Sequence, residues 1–106
     1  MPKYLFQTKY TASGAQGLAK DGGTTRAAVV EKVVKRLEGK LEAFYFAFGE
    51  VDAIVIADLP DHAAAGAIAL AVNQSGAATV KTTVLITPAE FDKATKKTVD
   101  YTPPGR

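Results

Sequence analysis

Five polar side chains stand on otherwise apolar stretches of this sequence, and they define what chemistry it could attempt: Tyr10, Arg26, Tyr45, Asp52 and His62. Tyr45 and Asp52 flank a Gly-Glu turn. If the turn is tight, they share a face, and a tyrosine hydroxyl against a carboxylate could serve as general acid and base on a small enolisable substrate. The plainer role, which we favour, is structural, with Asp52 capping backbone donors just after the turn. Arg26 closes the run Gly22-Gly23-Thr24-Thr25-Arg26, where a helix start, two hydroxyls and a guanidinium could attract an anion. Such runs are also common as plain helix caps.

His62 is the single histidine. A neutral imidazole can ligate haem, yet this one sits beside a predicted helix N-cap, where a solvent-exposed ring is the commoner outcome. We therefore expect no haem through His62 and no other cofactor. Zinc would need a first shell made almost wholly of carboxylates, because the sequence has no cysteine, so no metal site is expected. Lys81 reads as an exposed strand residue. No phosphate-binding loop, nucleophile elbow or dinucleotide fingerprint occurs.

The stretch that must position these groups is Leu41 to Pro60, LEAFYFAFGEVDAIVIADLP. Phe44, Phe46 and Phe48 alternate with Ala43, Tyr45 and Ala47. Beyond Gly49-Glu50, Val51, Ala53, Val55 and Ala57 alternate with Asp52, Ile54, Ile56 and Asp58. Period-two alternation predicts a hairpin with Phe44 opposite Val55 and Phe48 opposite Val51, and a positive φ at Gly49. Both faces carry apolar residues, and each Å² of apolar surface left in water forfeits about 25 cal/mol. The chain has helices enough to cover one face. A second copy is expected to cover the other, making a homodimer.

Around the hairpin the remaining elements follow in order. Lys3 to Tyr10 reads as an aromatic-rich strand, with Tyr4 and Tyr10 assigned to core or dimer interface. Ser13 and Gln16 match a capping box that opens a short helix. Asp21-Gly22-Gly23 interrupts it, and Thr24 can cap a restart through Glu38, with the stripe Val30, Val33, Val34 and Leu37, ending at Gly39. Asp61 caps an Ala-rich helix to about Asn73, whose small side chains suggest burial on more than one side. Ala78 to Ile86 is a last strand, and Thr87-Pro88-Ala89-Glu90 opens a C-terminal helix to about Lys97. The tail VDYTPPGR is irregular and is placed either over a neighbouring subunit or fraying.

This is the order of an α+β, ferredoxin-like domain (β-α-β-β-α-β) with an added C-terminal helix, occupying residues 1–106 as one unit. A net charge of +2 with scattered lysines gives no basic stripe for nucleic acid. No stretch has the length of a membrane span, the N-terminus lacks a signal-peptide pattern, and the absence of cysteine fits a cytoplasmic protein.

From MPKYLFQTKYT through AFYFAFGEVDAIVIADLPD to VKTTVLITPAEF, the chain resembles the GYD-domain family of small bacterial and archaeal proteins. The resemblance implies a ferredoxin-like fold of the dimeric α+β barrel type and no established activity for the family as a whole. The chain departs from the pattern at the hairpin, where Gly49 and Asp52 match but Val51 stands in place of the tyrosine. Three functions fit these observations. The first is binding of a small organic ligand between helices and sheet, with Tyr10, Arg26, Tyr45, Asp52 and His62 as the polar groups. The second, by analogy of fold alone, is a cofactor-independent oxygenase or isomerase. The third is a structural or interaction module without chemistry.

Overall fold

A computed structural model describes every residue, Met1–Arg106. The elements are β1 (Lys3–Tyr10), α1 (Ala12–Asp21), α2 (Gly23–Arg36), β2 (Lys40–Phe46), β3 (Ala53–Asp58), α3 (His62–Gln74), β4 (Ala78–Leu85) and α4 (Pro88–Thr95). The strands form one open antiparallel sheet in the order β2-β3-β1-β4. The crossover from β1 to β2 passes β3, and the one from β3 to β4 passes β1, which is the ferredoxin-like topology.

Alternation along the central strands decides what is inside. Tyr4 and Phe6 of β1 and Ala53, Val55 and Ala57 of β3 are buried, and all but Ala53 cluster with Val34 of α2, Ala65 of α3 and Leu59. The opposite parity faces away from the helices. There the register aligns Thr83, Leu5, Ile56 and Ala43 in one row across the sheet, and Lys81, Gln7, Ile54 and Tyr45 in the next. No layer covers this second face. On it Lys3 pairs with Glu42 and, at 2.9 Å, with Asp58. Hydrogen bonds that it donates, first to Glu42 and then to Asp58, hold its ammonium pKa above the ordinary lysine value.

The hairpin keeps the expected register, with Phe44 opposite Val55, but not the expected turn. Strand pairing stops at Phe46 and Ala53, a wider loop spans 47–52, and Gly49 is not among the glycines with positive φ. The cause is Asp52. Its N–H donates to the Thr8 carbonyl at 2.8 Å, its carbonyl accepts from the Ala47 N–H at 2.8 Å, and its carboxylate accepts from the Tyr10 N–H at 2.9 Å. With its N–H taken by Thr8, Asp52 does not pair back to the Ala47 carbonyl, so the ladder stops short of Gly49-Glu50, and Phe48 projects into solvent.

Three helix ends also differ from the sequence reading. Thr11, not Ser13, caps α1: its hydroxyl accepts from the Gly14 N–H at 3.2 Å and donates to the Gly76 carbonyl at 2.9 Å, while its N–H donates to the Ala77 carbonyl at 2.9 Å. These contacts with the turn before β4 start the helix two residues early. They also require glycine at 14, where a Cβ would fall 1.9 Å from the Ala77 oxygen. Gly22, rather than Thr24, is the N-cap of α2, and no side chain caps that end. At its C-terminus the left-handed residue is Glu38, φ 63°, rather than Gly39. Glu38 N–H bonds Lys35 O at 2.9 Å and Gly39 N–H bonds Val34 O at 2.9 Å, the paired closure of a Schellman motif. Gly39 is needed for space, since a Cβ there would lie 2.4 Å from Asp58 O.

The Ala-rich α3 is capped by Asp61 as read, its carboxylate accepting from Ala64 N–H at 2.8 Å. Burial on more than one side is not what the structure gives. Ala65 is its one buried residue, and Leu70 on the far side is exposed. The capping box of α4 forms as read: Thr87 N–H donates to Glu90 Oε1 at 3.0 Å, and Glu90 N–H donates to Thr87 Oγ1 at 3.1 Å. Every residue from Ile86 to Thr102 is exposed. Helix α4 and the tail therefore stand off the body. The radius of gyration is 16.8 Å, against about 13 Å for a compact chain of about 100 residues.

Candidate functional site

Between α2, α3 and the sheet lies a cavity of about 90 Å³. Its wall is made by Phe6, Val55 and Val80 from the sheet, Phe44 from β2, Val30 and Val34 from α2, and Ile68 and Val72 from α3. The elements that position this wall are those whose periodicity was visible in sequence, a period of two on the strands and a valine stripe on α2. Three polar side chains reach it: Thr8, Tyr10 and Arg26.

Thr8 and Tyr10 share the helix-facing parity of β1, so both side chains point toward the same chamber. Neither hydroxyl is engaged in a hydrogen bond within the chain. Arg26 lies in the first turn of α2 and is half-buried. It forms no ion pair, since the pairs in the chain are Lys3 with Glu42, Lys3 with Asp58, and Lys35 with Glu31. Asp21 lines a separate hollow of about 170 Å³ together with Arg26 and Tyr10, but no carboxylate oxygen comes within 4.0 Å of the guanidinium. The chamber thus combines an apolar wall with an unpaired cation and two free hydroxyls at its edge.

Tyr10 also borders an open groove of about 460 Å³ between α1 and the 47–52 loop, lined by Leu18, Phe46, Phe48 and Asp52. Asp52 is therefore a neighbour of the cavity through Tyr10 and does not line it. Its carboxylate fixes the backbone at Tyr10, the capping role favoured from sequence.

The structure separates the remaining candidates. Tyr45 lies on the outer face of the sheet, 69% exposed, and makes no hydrogen bond with Asp52, so the acid–base pair weighed against the structural role is not assembled. The wider loop is the reason: Asp52 turns inward toward β1, while Tyr45 keeps the outward parity of β2. His62 borders none of these three hollows. Its Nδ1 lies 2.6 Å from the hydroxyl of buried Tyr4, with the rings edge-on at 5.7 Å. Tyr4 is thus a core residue with its one polar atom satisfied at the start of α3.

Thr8 was not singled out from sequence, although its parity with Tyr10 was the available signal. The Lys3, Glu42 and Asp58 cluster gave no such signal, because a bulge between Leu41 and Ala43 sets where Glu42 points. No group of three or more His, Cys, Asp or Glu side chains is placed to hold a metal ion. No helix is long and apolar enough to cross a membrane.

Fold and chamber together define a small ferredoxin-like α+β protein with an apolar cavity between its sheet and helices. The chain belongs to the GYD domain family, whose profile matches residues 4–95. Comparisons with curated proteins and with solved structures return no match.

Proposed function

We propose that this is a cytoplasmic homodimeric protein that binds a small organic ligand in the chamber between α2, α3 and the sheet. One observation carries the binding reading: a partly open apolar cavity lined as well by Thr8, Tyr10 and Arg26, none of which has a side-chain partner in the chain. Ligand sites are of this kind, mostly apolar with a few polar groups that fix orientation. A cavity serving packing alone has no use for unpaired polar groups at its rim. The absence of cysteine supports the cytoplasmic assignment.

The dimer rests on the uncovered sheet face and on the C-terminal arm. Leu5, Ile54, Ile56 and Ala43 form an apolar centre on that face. The arm carries Phe91, Val99 and Tyr101 exposed, away from its own body. A second copy satisfies both surfaces at once, its sheet covering the face and its body receiving the arm.

Native mass spectrometry of the purified full chain tests both parts together. A dimer with retained mass in the range of a small metabolite is the expected result. A monomer would overturn the dimer. If a thermal-shift screen against organic acids, alcohols and amines finds no stabiliser, and the purified chain retains no added mass, the binding reading fails.

A further inference from the structure

Resting on the ligand-binding reading of the same chamber, we infer that its ligand is a carboxylic acid with a compact apolar body, the carboxylate held at the rim by Arg26 and the Tyr10 hydroxyl. The argument starts from charge. A guanidinium is ionised at every accessible pH, so the half-buried Arg26 carries a full positive charge at the mouth of an apolar cavity. It has no ion-pair partner. The carboxylates of the two adjoining hollows do not supply one: Asp21 lines a hollow with Arg26 without coming within ion-pair distance, and Asp52 is engaged with the Tyr10 N–H. Arg26 also lies in the first turn of the fourteen-residue α2, where the helix dipole adds positive potential.

The shape of the charge favours a carboxylate. A planar guanidinium matches a carboxylate with two parallel N–H donors, and a neighbouring hydroxyl can donate a third bond. A phosphate would carry close to two charges and would need several cations or a ring of backbone donors. The rim offers a single cation.

The wall sets the rest of the molecule. Phe6, Val34, Phe44, Val55 and Val80 present no donor or acceptor, so a hydroxylated or charged body would lose its hydration without replacement. The volume, about 90 Å³, is below the roughly 150 Å³ of an engineered cavity that admits benzene. The body is therefore aliphatic and short, of about the size of a branched four- or five-carbon chain.

The test titrates three probes of one shape into the isotopically labelled full chain: isovalerate, its neutral amide isovaleramide, and 3-methylbutylamine. Amide chemical shifts locate the binding, and the same titrations are run on Arg26→Met, which keeps the apolar stem, and Arg26→Lys, which keeps the charge. Isovalerate is expected to bind about tenfold or more tightly than the amide, with shifts at Val34, Phe44 and Val55, and Arg26→Met to abolish the difference. Equal binding of acid and amide at those positions would overturn the acid assignment while leaving the chamber a ligand site. Acid preference that persists in Arg26→Met would overturn the role of Arg26. Should Arg26→Met fail to fold, Arg26→Gln, which removes the charge and keeps a polar head, takes its place under the same criterion, while Arg26→Lys, which keeps the charge without the bidentate fork, is expected to retain part of the preference. If no probe binds, or if the shifts map outside the chamber, both the acid assignment and the reading beneath it fall.

Discussion

Replacing Asp52 by alanine isolates one hydrogen bond that holds the hairpin to the end of the central strand β1. Of the three bonds at this residue, the two made by its backbone survive the substitution, and the carboxylate bond to the Tyr10 N–H at 2.9 Å is lost. A hydrogen bond to a charged acceptor contributes about 1.5–3 kcal/mol, and the half-buried position of Asp52 places this one at the lower end, about 1.5–2 kcal/mol. For a domain of this length that corresponds to a fall in Tm of roughly 6–16 °C. Asp52→Asn retains an acceptor and is expected to lose about half as much. Urea denaturation measures the stability of each variant, and hydrogen exchange at the Tyr10 amide reports the bond directly. A Tyr10 amide as protected in Asp52→Ala as in the wild type, with the urea midpoint unmoved, would refute the latch and with it the explanation of the wide loop.

Gly39→Ala should destabilise by about 1–3 kcal/mol, because the new Cβ would lie 2.4 Å from Asp58 O and 2.8 Å from Leu59 Cδ2, a backbone atom and a fully buried side chain; the urea midpoint reads it. Glu38→Gly should act in the other direction, stabilising by about 0.5–1 kcal/mol in the same assay, since glycine relieves the left-handed φ of 63° while raising the entropy of the unfolded chain. The Glu90 carboxyl should titrate below its ordinary value of 4.5, chiefly because it accepts the Thr87 N–H. Its folded pKa is depressed, so its contribution to the start of α4 is full above the unfolded value and is lost as pH falls through the folded one. Carbon-detected titration of Glu90, with α4 amide exchange followed alongside, measures this. Truncation after Ile86 removes α4 and the tail, none of whose residues is buried, so the body should stay folded while the proposed dimer weakens; light scattering on the shortened chain compares the two.

The strand parities were legible in the sequence because a period of two needs only local order, but which parity the helices cover, that of Tyr4, Phe6, Ala53, Val55 and Ala57, was not, since both hairpin faces carry apolar residues. The register of Phe44 opposite Val55 was equally local. Capping at Asp61 and Thr87 depends on bonds within four residues and was also readable. What failed depended on partners far along the chain. Thr11 displaced Ser13 as a cap because the carbonyls of Gly76 and Ala77 lie above it. The turn at Gly49 opened because Asp52 bonds Thr8 and Tyr10.

Sequence by itself thus determined the order of elements and the alternation along each strand, which follow from side-chain spacing within single segments, and the family, which follows from the resemblance along most of the chain. Tertiary structure alone decided which polar groups meet. Tyr10 and Arg26 come together with Thr8 around one chamber because β1 passes beneath α2, while Tyr45 is turned outward and His62 is held by Tyr4 at the far end of the sheet. The physical reason is range: backbone periodicity acts over a few residues, whereas a shared cavity depends on how separate segments pack, and a few long-range hydrogen bonds set that geometry.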